Sequence, residues 1–213
     1  MPGIRIAKRG GFGFNRMPMS NPANAFPDKA QLFEMIIREG VEAFNDFRRK
    51  TAYEPLDLSG LDFTAKDMTG INFSNTDLTG CTFDFAYLVE AVLIMADLSR
   101  SSCRETDFYM ATMEEAELLH CDLEQANFAS AALSEAVFNG SNASRASFQD
   151  ADLTDARFQK AQLQDTDFTG AILKGADFQD AQSEWAIFES VQYDEKTRWG
   201  SQPPAFTQQN SPS

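Results

Sequence analysis

A period of five, running without a slip from residue 58 to residue 188, limits this chain more than any other feature. Taking every fifth residue gives 27 positions, and 22 of them are Leu or Phe; the exceptions are Met68, Cys103, Met113, Ala143 and Ser183. Two positions earlier the chain places a small residue, most often Ala. An Asp or Asn often stands between, as in Ala151-Asp152-Leu153 and Ala176-Asp177-Phe178. Five is neither the 3.6-residue period of a helix nor the two-residue period of a strand. Within one unit, however, the small residue and the central Leu or Phe lie two apart and share a face, as strand residues do, while the residue between them points away. Asn142, one such outward residue, is expected to be dispensable. The remaining two residues must turn the chain before the pattern restarts.

Glycine and proline test this reading. All six glycines between 56 and 192 lie two residues after a central position, where a tight turn wants positive φ. All eight prolines lie outside that span, as stacked strands that use their amide hydrogens require. Units of this size cannot bury a face alone, so they stack into a solenoid.

The pattern A-[D/N]-[L/F]-x-x resembles the pentapeptide-repeat family over residues 56–192. The resemblance implies an all-β solenoid, a right-handed quadrilateral β-helix with four units per coil, preceded by a capping helix. Residues twenty apart then stack: Phe108, Phe128, Phe148, Phe168 and Phe188 form an aromatic ladder on one side. Leu58, Leu78, Leu98 and Leu118, continued by Phe138, Phe158 and Phe178, line another. Cys103, Ala143 and Ser183 fall on a third side, which is expected to be narrower or dented. About seven coils at ~4.8 Å make a rod of roughly 33 Å.

A solenoid must cover its first and last coils. The chain divides into a flexible basic arm (1–27), a capping helix (28–52), the repeat β-helix (53–192) and a C-terminal cap with a flexible tail (193–213). Asp28 and Gln31 form a capping box, followed at helical spacing by Leu32, Phe33, Ile36, Ile37, Val41, Phe44 and Phe47, with Gly40 placed to bend or split the helix. The run Phe44-Asn45-Asp46-Phe47-Arg48 is similar to a capping helix seen before many such solenoids. The run from Tyr193 to Trp199 resembles a family tail that folds back over the last coil, although Gly200 stands where that tail continues with Pro.

Net charge is −14, and it is uneven: residues 1–26 carry Arg5, Lys8, Arg9 and Arg16 and no acid, whereas 56–192 hold 24 acids against 7 bases, a net of −17. That balance argues against direct nucleic-acid binding, which needs a basic footprint. No segment approaches ~18 apolar residues, so no membrane span is expected and the cytoplasm is the expected compartment. Cys81, Cys103 and Cys121 lack metal or CxxC spacing and read as reduced, buried small residues. His120, the single histidine, falls at an outward turn position and reads as solvated. Carboxylates are plentiful but sit on a convex rod with no cleft to raise a pKa. The expectation is a non-enzymatic protein without catalytic residue, cofactor or metal.

Two surface features point to partners. Asp57, Asp77, Asp97 and Glu117 stack one coil apart, and a net −17 over roughly 33 Å approaches the one charge per ~1.7 Å of duplex DNA. Some members of the family imitate DNA and shield type II topoisomerases from quinolone-like inhibitors. A DNA-mimicking protector or inhibitor is therefore one function the resemblance implies. Against it, Asp at this repeat position bonds nearby turn backbone, and acidity keeps a rod soluble. The main reading is a scaffold or adaptor that presents its acidic rod surface to a protein partner. The second feature is an apolar window on otherwise polar outward positions: Phe85, Tyr87, Val89, Val92, Ile94 and Met95, joined one coil later by Tyr109 and Met110. These residues are expected around one edge. Cover by the arm (Phe12, Phe14, Met17, Met19, held by Glu90 and Glu105), docking of a partner or a second copy, and an idle patch are all open at this point.

The far-ultraviolet spectrum should be dominated by β-structure, with helix confined to about twenty residues between 28 and 50; a helix content near half would rule the solenoid out.

Overall fold

The computed structural model describes residues 26–200. The solenoid starts where β1 (Leu56–Asp57) pairs in parallel with β2 (Thr76–Asp77), and the same twenty-residue step recurs from Asp62↔Thr82 to Ile172↔Gln192. Four five-residue units therefore complete one coil, and the rod has four faces. In chain order the first is centred on Leu58, the second on Phe63, the third on Met68 and the fourth on Phe73, each recurring every twenty residues.

The unit 96–100 shows how the backbone is satisfied. Ala96 N–H closes the turn onto Leu93 O (3.0 Å), and Asp97 N–H reaches back to Thr76 O (3.0 Å). Leu98 and Arg100 donate forward to Glu117 O and Leu119 O, both at 2.8 Å. The fifth donor, Ser99 N–H, is taken by the Asp97 carboxylate at 2.9 Å. Every donor of the unit has an acceptor, which buried backbone demands. The second turn residue sits in the left-handed region throughout: φ is 64–75° at the solenoid glycines and 53–63° at residues such as Ala65, Phe85, Glu115 and Trp185. A side chain there costs roughly 1–2 kcal/mol, and the coil-to-coil bonds on either side hold it in place.

The small and central residues fill the interior. Ring stacking on the third face runs Phe108–Phe128 4.8 Å, Phe128–Phe148 4.9 Å, Phe148–Phe168 5.1 Å and Phe168–Phe188 5.0 Å. A second ladder on the opposite first face (Phe138–Phe158 4.6 Å, Phe158–Phe178 5.0 Å) meets it edge to face, as at Phe138–Phe148, 5.5 Å. Such crossing rings flank two of the three small centres of the second face, Ala143 and Ser183. Cys103 and Ala143 are fully buried; the rings of Phe138 and Phe148 meet edge to face beside Ala143, whereas Cys103 lies between Leu98 and Phe108. Ser183 is half-buried in the last coil.

The N-terminal cap begins with the expected capping box: Asp28 accepts from Gln31 N–H and Gln31 accepts from Asp28 N–H, both at 2.9 Å. The helix is split, as Gly40 allows. A first α-helix, α1 (Lys29–Glu34), widens into a π-helical stretch (Met35–Glu39) that closes on Gly40 N–H to Met35 O (3.0 Å); Gly40, at φ 91°, then starts α2 (Val41–Lys50). Phe33 packs on Phe63 (5.5 Å) and Phe44 on Phe73 (5.6 Å). Asn45 stands in for the missing preceding coil, donating to Gly70 O (2.9 Å) and accepting from Asn72 N–H (2.8 Å). Arg48 is fully buried and donates to Glu54 O (2.6 Å) and Ser74 O; burial pulls its pKa down to about 10, so it stays charged at neutral pH.

At the other end Asp194 accepts from Gly175 N–H (3.0 Å) and Thr197 N–H (3.2 Å), inserting one residue before Arg198 pairs with Asp177. Trp199 then extends the first-face ladder, stacked on Phe178 at 5.3 Å. The expected fold-back is thus an added quarter-coil. The remainder of the arm (1–25) and the tail (201–213) lie outside the described residues. Cys81, Cys103 and Cys121 are free and buried; burial pushes the first up to about 11 and the last to about 12, and raises Cys103 as well. No helix among the described residues is long and apolar enough to cross a membrane.

Asn142 departs from expectation. It accepts from Ser144 N–H (3.2 Å) and Ser144 O–H (2.8 Å) and donates to Asp122 (3.2 Å), so it does structural work although it points outward. In urea titrations Phe148→Ala should cost about 3–5 kcal/mol by opening a cavity in the ladder, and Asn142→Ala about 1–2 kcal/mol through the unmet turn donor.

Candidate functional site on the rod surface

Asp57, Asp77, Asp97 and Glu117 do stack in one outward column of the first face, which then loses its acidic character at Val137 and Arg157. The aspartates are not idle charges. Asp57 accepts from Ser59 N–H (3.0 Å) and pairs with Lys29 of the cap (2.9 Å). Asp77 accepts from Thr79 N–H (2.9 Å) and Thr79 O–H (2.7 Å). The same turn bond recurs on the other faces at Asp62, Asp67, Asp107, Asp122, Asp152 and Asp167. Glu117, one methylene longer, makes no such bond among the described residues; burial and then the neighbouring Asp97 charge raise its pKa.

The eight residues of the apolar window have unequal exposure. Tyr87 (53%), Phe85 (51%), Met110 (48%), Tyr109 (41%) and Met95 (36%) are exposed, whereas Val89, Val92 and Ile94 are half-buried. They do not cluster on one edge. Phe85 sits at the corner between the second and third faces and Tyr87 on the third face. Val89, Tyr109 and Met110 occupy the next corner, Val92 the fourth face, and Ile94 with Met95 the corner beyond. A one-unit step of five residues turns the chain by one face, so consecutive outward positions spread round the rod instead of along it. At the far end Met95 lines a pocket with Pro55, Leu56, Asn75, Thr76, Asp77 and Asp97, where the window touches the acidic column.

Within the repeat, two exposed large apolar residues escaped the sequence reading: Trp185, 79% exposed, and Ile187, 41% exposed. They stand at a corner and an outward position of the last coil. Checking outward positions to the end of the repeat would have found them. His120 is exposed at its corner, as expected. Among the described residues no group of three His, Cys, Asp or Glu side chains is disposed to hold a metal ion.

The turn carboxylates set the acid sensitivity. The Thr64 hydroxyl and N–H hold Asp62 below the usual carboxylate range, and the Thr69 N–H and hydroxyl do so for Asp67. Depressed carboxylates contribute stability above their unfolded pKa and lose it as pH falls through the folded value. Glu117 works the other way: its contribution is present below its unfolded pKa and lost as pH rises through the raised one. Thermal melts should therefore show the midpoint falling from about pH 5 to about pH 2, with Glu117→Gln raising it at neutral pH.

A family model described as pentapeptide repeat region matches residues 111–188, and a second, pentapeptide repeats in eight copies, matches residues 57–93. No curated protein matches the sequence. Among solved structures, trypsin-treated QnrB1, described as a plasmid-mediated fluoroquinolone resistance protein, is 19% identical, covering 66% of this chain and 89% of its own, with a TM-score of 0.41. The pentapeptide repeat protein alr5209 from Nostoc PCC 7120 is 28% identical over 47% of this chain and 78% of its own (TM-score 0.38). HetL, from Nostoc sp. strain PCC 7120, is 22% identical over 68% of this chain and 92% of its own (TM-score 0.26). At these scores none of the three bears on what the chain binds. The unbroken frame, the four-unit coil and the two family matches make the chain a pentapeptide-repeat protein, a right-handed quadrilateral β-helix.

Proposed function

We propose that the rod is a non-enzymatic scaffold or adaptor that docks a protein partner through its apolar window. The observation that carries this is the exposure of five large apolar side chains, Phe85, Tyr87, Met95, Tyr109 and Met110, within two coils of an otherwise polar surface. Large apolar groups exposed at successive outward positions of two adjacent coils mark contact surfaces more often than they stand idle, even though they turn round the rod. Three free, buried thiols fit a reducing compartment such as the cytoplasm.

A second reading is a DNA-mimicking protector or inhibitor of a type II topoisomerase, which the Asp57–Glu117 column favours. Weighing against it, three of those four carboxylates serve the turns of the solenoid itself.

The two readings part on one set of experiments. Under docking, the full-length chain binds a hydrophobic dye or self-associates, and Tyr109→Asp reduces that signal several-fold while leaving the fold intact. Dye binding that emerges only when residues 1–25 are deleted would assign the window to the arm. No binding by either form would end the docking reading. Under mimicry, the protein protects a type II topoisomerase from a fluoroquinolone, and neutralising Asp57, Asp77, Asp97 and Glu117 together abolishes protection; unchanged supercoiling and cleavage at micromolar protein removes that reading.

A further inference from the structure

The outward column of the third face runs in unbroken register as Tyr87, Asp107, Asn127, Ser147, Asp167, Ile187. The corner column beside it, two residues earlier in each unit, runs Phe85, Glu105, Gln125, Arg145, Asp165, Trp185. In both columns an exposed apolar residue at each end is followed inward by an acid, with Gln125, Arg145, Asn127 and Ser147 between; one coil earlier stand Ala65 and Asp67. The apolar ends are the exposed pairs Phe85–Tyr87 and Trp185–Ile187. Five coils at ~4.8 Å separate them, about 24 Å. Arg145, the one base in the two columns, is already paired with Glu124 at 2.8 Å. Arg104, beside them, is held by Asp122 (2.9 Å) and Glu124 (2.5 Å). The stretch between the two anchors is therefore acidic.

We propose that this face is a two-anchor docking surface for a basic helical segment of a partner protein, with large apolar side chains at both ends of the contact. The proposal deepens the docking reading above and rests on it, adding a second anchor and a chemistry for the partner. Charge selects the occupant. A second copy of the chain, set antiparallel about a two-fold axis, would bring its Trp185–Ile187 onto Phe85–Tyr87 but would also place Asp165 against Glu105 and Asp167 against Asp107. A parallel copy would oppose each acid with itself. Like charges meeting across an interface are unfavourable, so a base-bearing partner fits where a copy does not. Backbone selects the form. The N–H groups along this face, from Tyr87 and Leu88 to Asp167 and Phe168, are already bonded between coils, so no strand can add to it and docking must run through side chains. An α-helix spans the distance with about 16 residues at 1.5 Å each.

The test uses the full chain and a synthetic helical peptide of about 20 residues, with Leu pairs at both ends and Lys and Arg between. Controls are a peptide with Glu in place of the bases and a half-length peptide with one Leu pair. Of the chain's two tryptophans, Trp199 is stacked on Phe178, so a change in emission on binding reports Trp185, while affinities of all variants are read from the anisotropy of a fluorophore on the peptide. Expected results are a blue shift of that emission and an affinity that falls with salt. Trp185→Asn and Phe85→Asn, which suit positive φ at these corners, should each weaken binding by about tenfold. Glu105→Lys with Asp165→Lys should abolish it, and neither control peptide should match the full one. The proposal is overturned if the basic peptide leaves the emission unchanged, if the acidic peptide binds as well, or if Trp185→Asn leaves the affinity unchanged. If Trp185→Asn is without effect while Tyr109→Asp still removes dye binding, the two-anchor surface is wrong and the docking reading stands.

Discussion

Everything in this rod depends on how five backbone donors per repeat find acceptors. Three N–H groups bond to neighbouring coils and one closes the turn, and the fifth would be stranded at the corner without a side-chain acceptor. Asp or Asn, two residues back, supplies it, as Asp97 does for Ser99 and Asp152 for Thr154. A short side chain in that position reaches its own turn without strain. Much of the acidity on the rod's faces therefore follows from hydrogen-bond accounting. The acids this does not explain, among them Glu105 and Asp165, are the more informative about partners.

The same constraint governs the ends and the interior. The first coil has no coil before it, and polar side chains of the cap take over its backbone bonds: Asn45 at Gly70 and Asn72, Arg48 at Ser74, Lys29 at Ser59. Burying Arg48 is tolerable because two carbonyls receive its guanidinium and Tyr53 lies 5.7 Å away. Inside, the fixed rise of one coil matches the spacing at which rings stack. A phenylalanine in one coil thus favours another twenty residues on, and ladders on opposite faces share the axis by meeting edge to face. The small centre Ala143 stands where two such rings, Phe138 and Phe148, meet.

Much of this was legible because the repeat converts tertiary neighbours into sequence neighbours at a fixed offset. Stacking of Phe148 between Phe128 and Phe168, burial of the three cysteines and the corner position of His120 all follow from counting in fives and twenties, and the capping box at Asp28 from the three-residue step to Gln31. The spread of the apolar window is less legible, because successive outward positions turn round the coil and do not run along an edge. Trp185 and Ile187 lay in the same phase and needed only the same count. Outward position does not make Asn142 dispensable, because its amide is part of the turn.

The sequence by itself determined the coil: the period, the register, the identity of each face and the positions where φ must be positive, since these follow from local chemistry repeated without interruption. Only the tertiary structure decided what happens where repetition stops or where faces meet. The π-helical widening before Gly40 and the extra residue at Asp194 that brings Trp199 onto Phe178 have no repeating signal, because each depends on parts of the chain that approach one another only once. The surface divides in the same way. Which residues point outward is a matter of phase, but how exposed Trp185 and Tyr87 are, and which bases are already taken by neighbouring acids, is set by the side chains stacked above and below them.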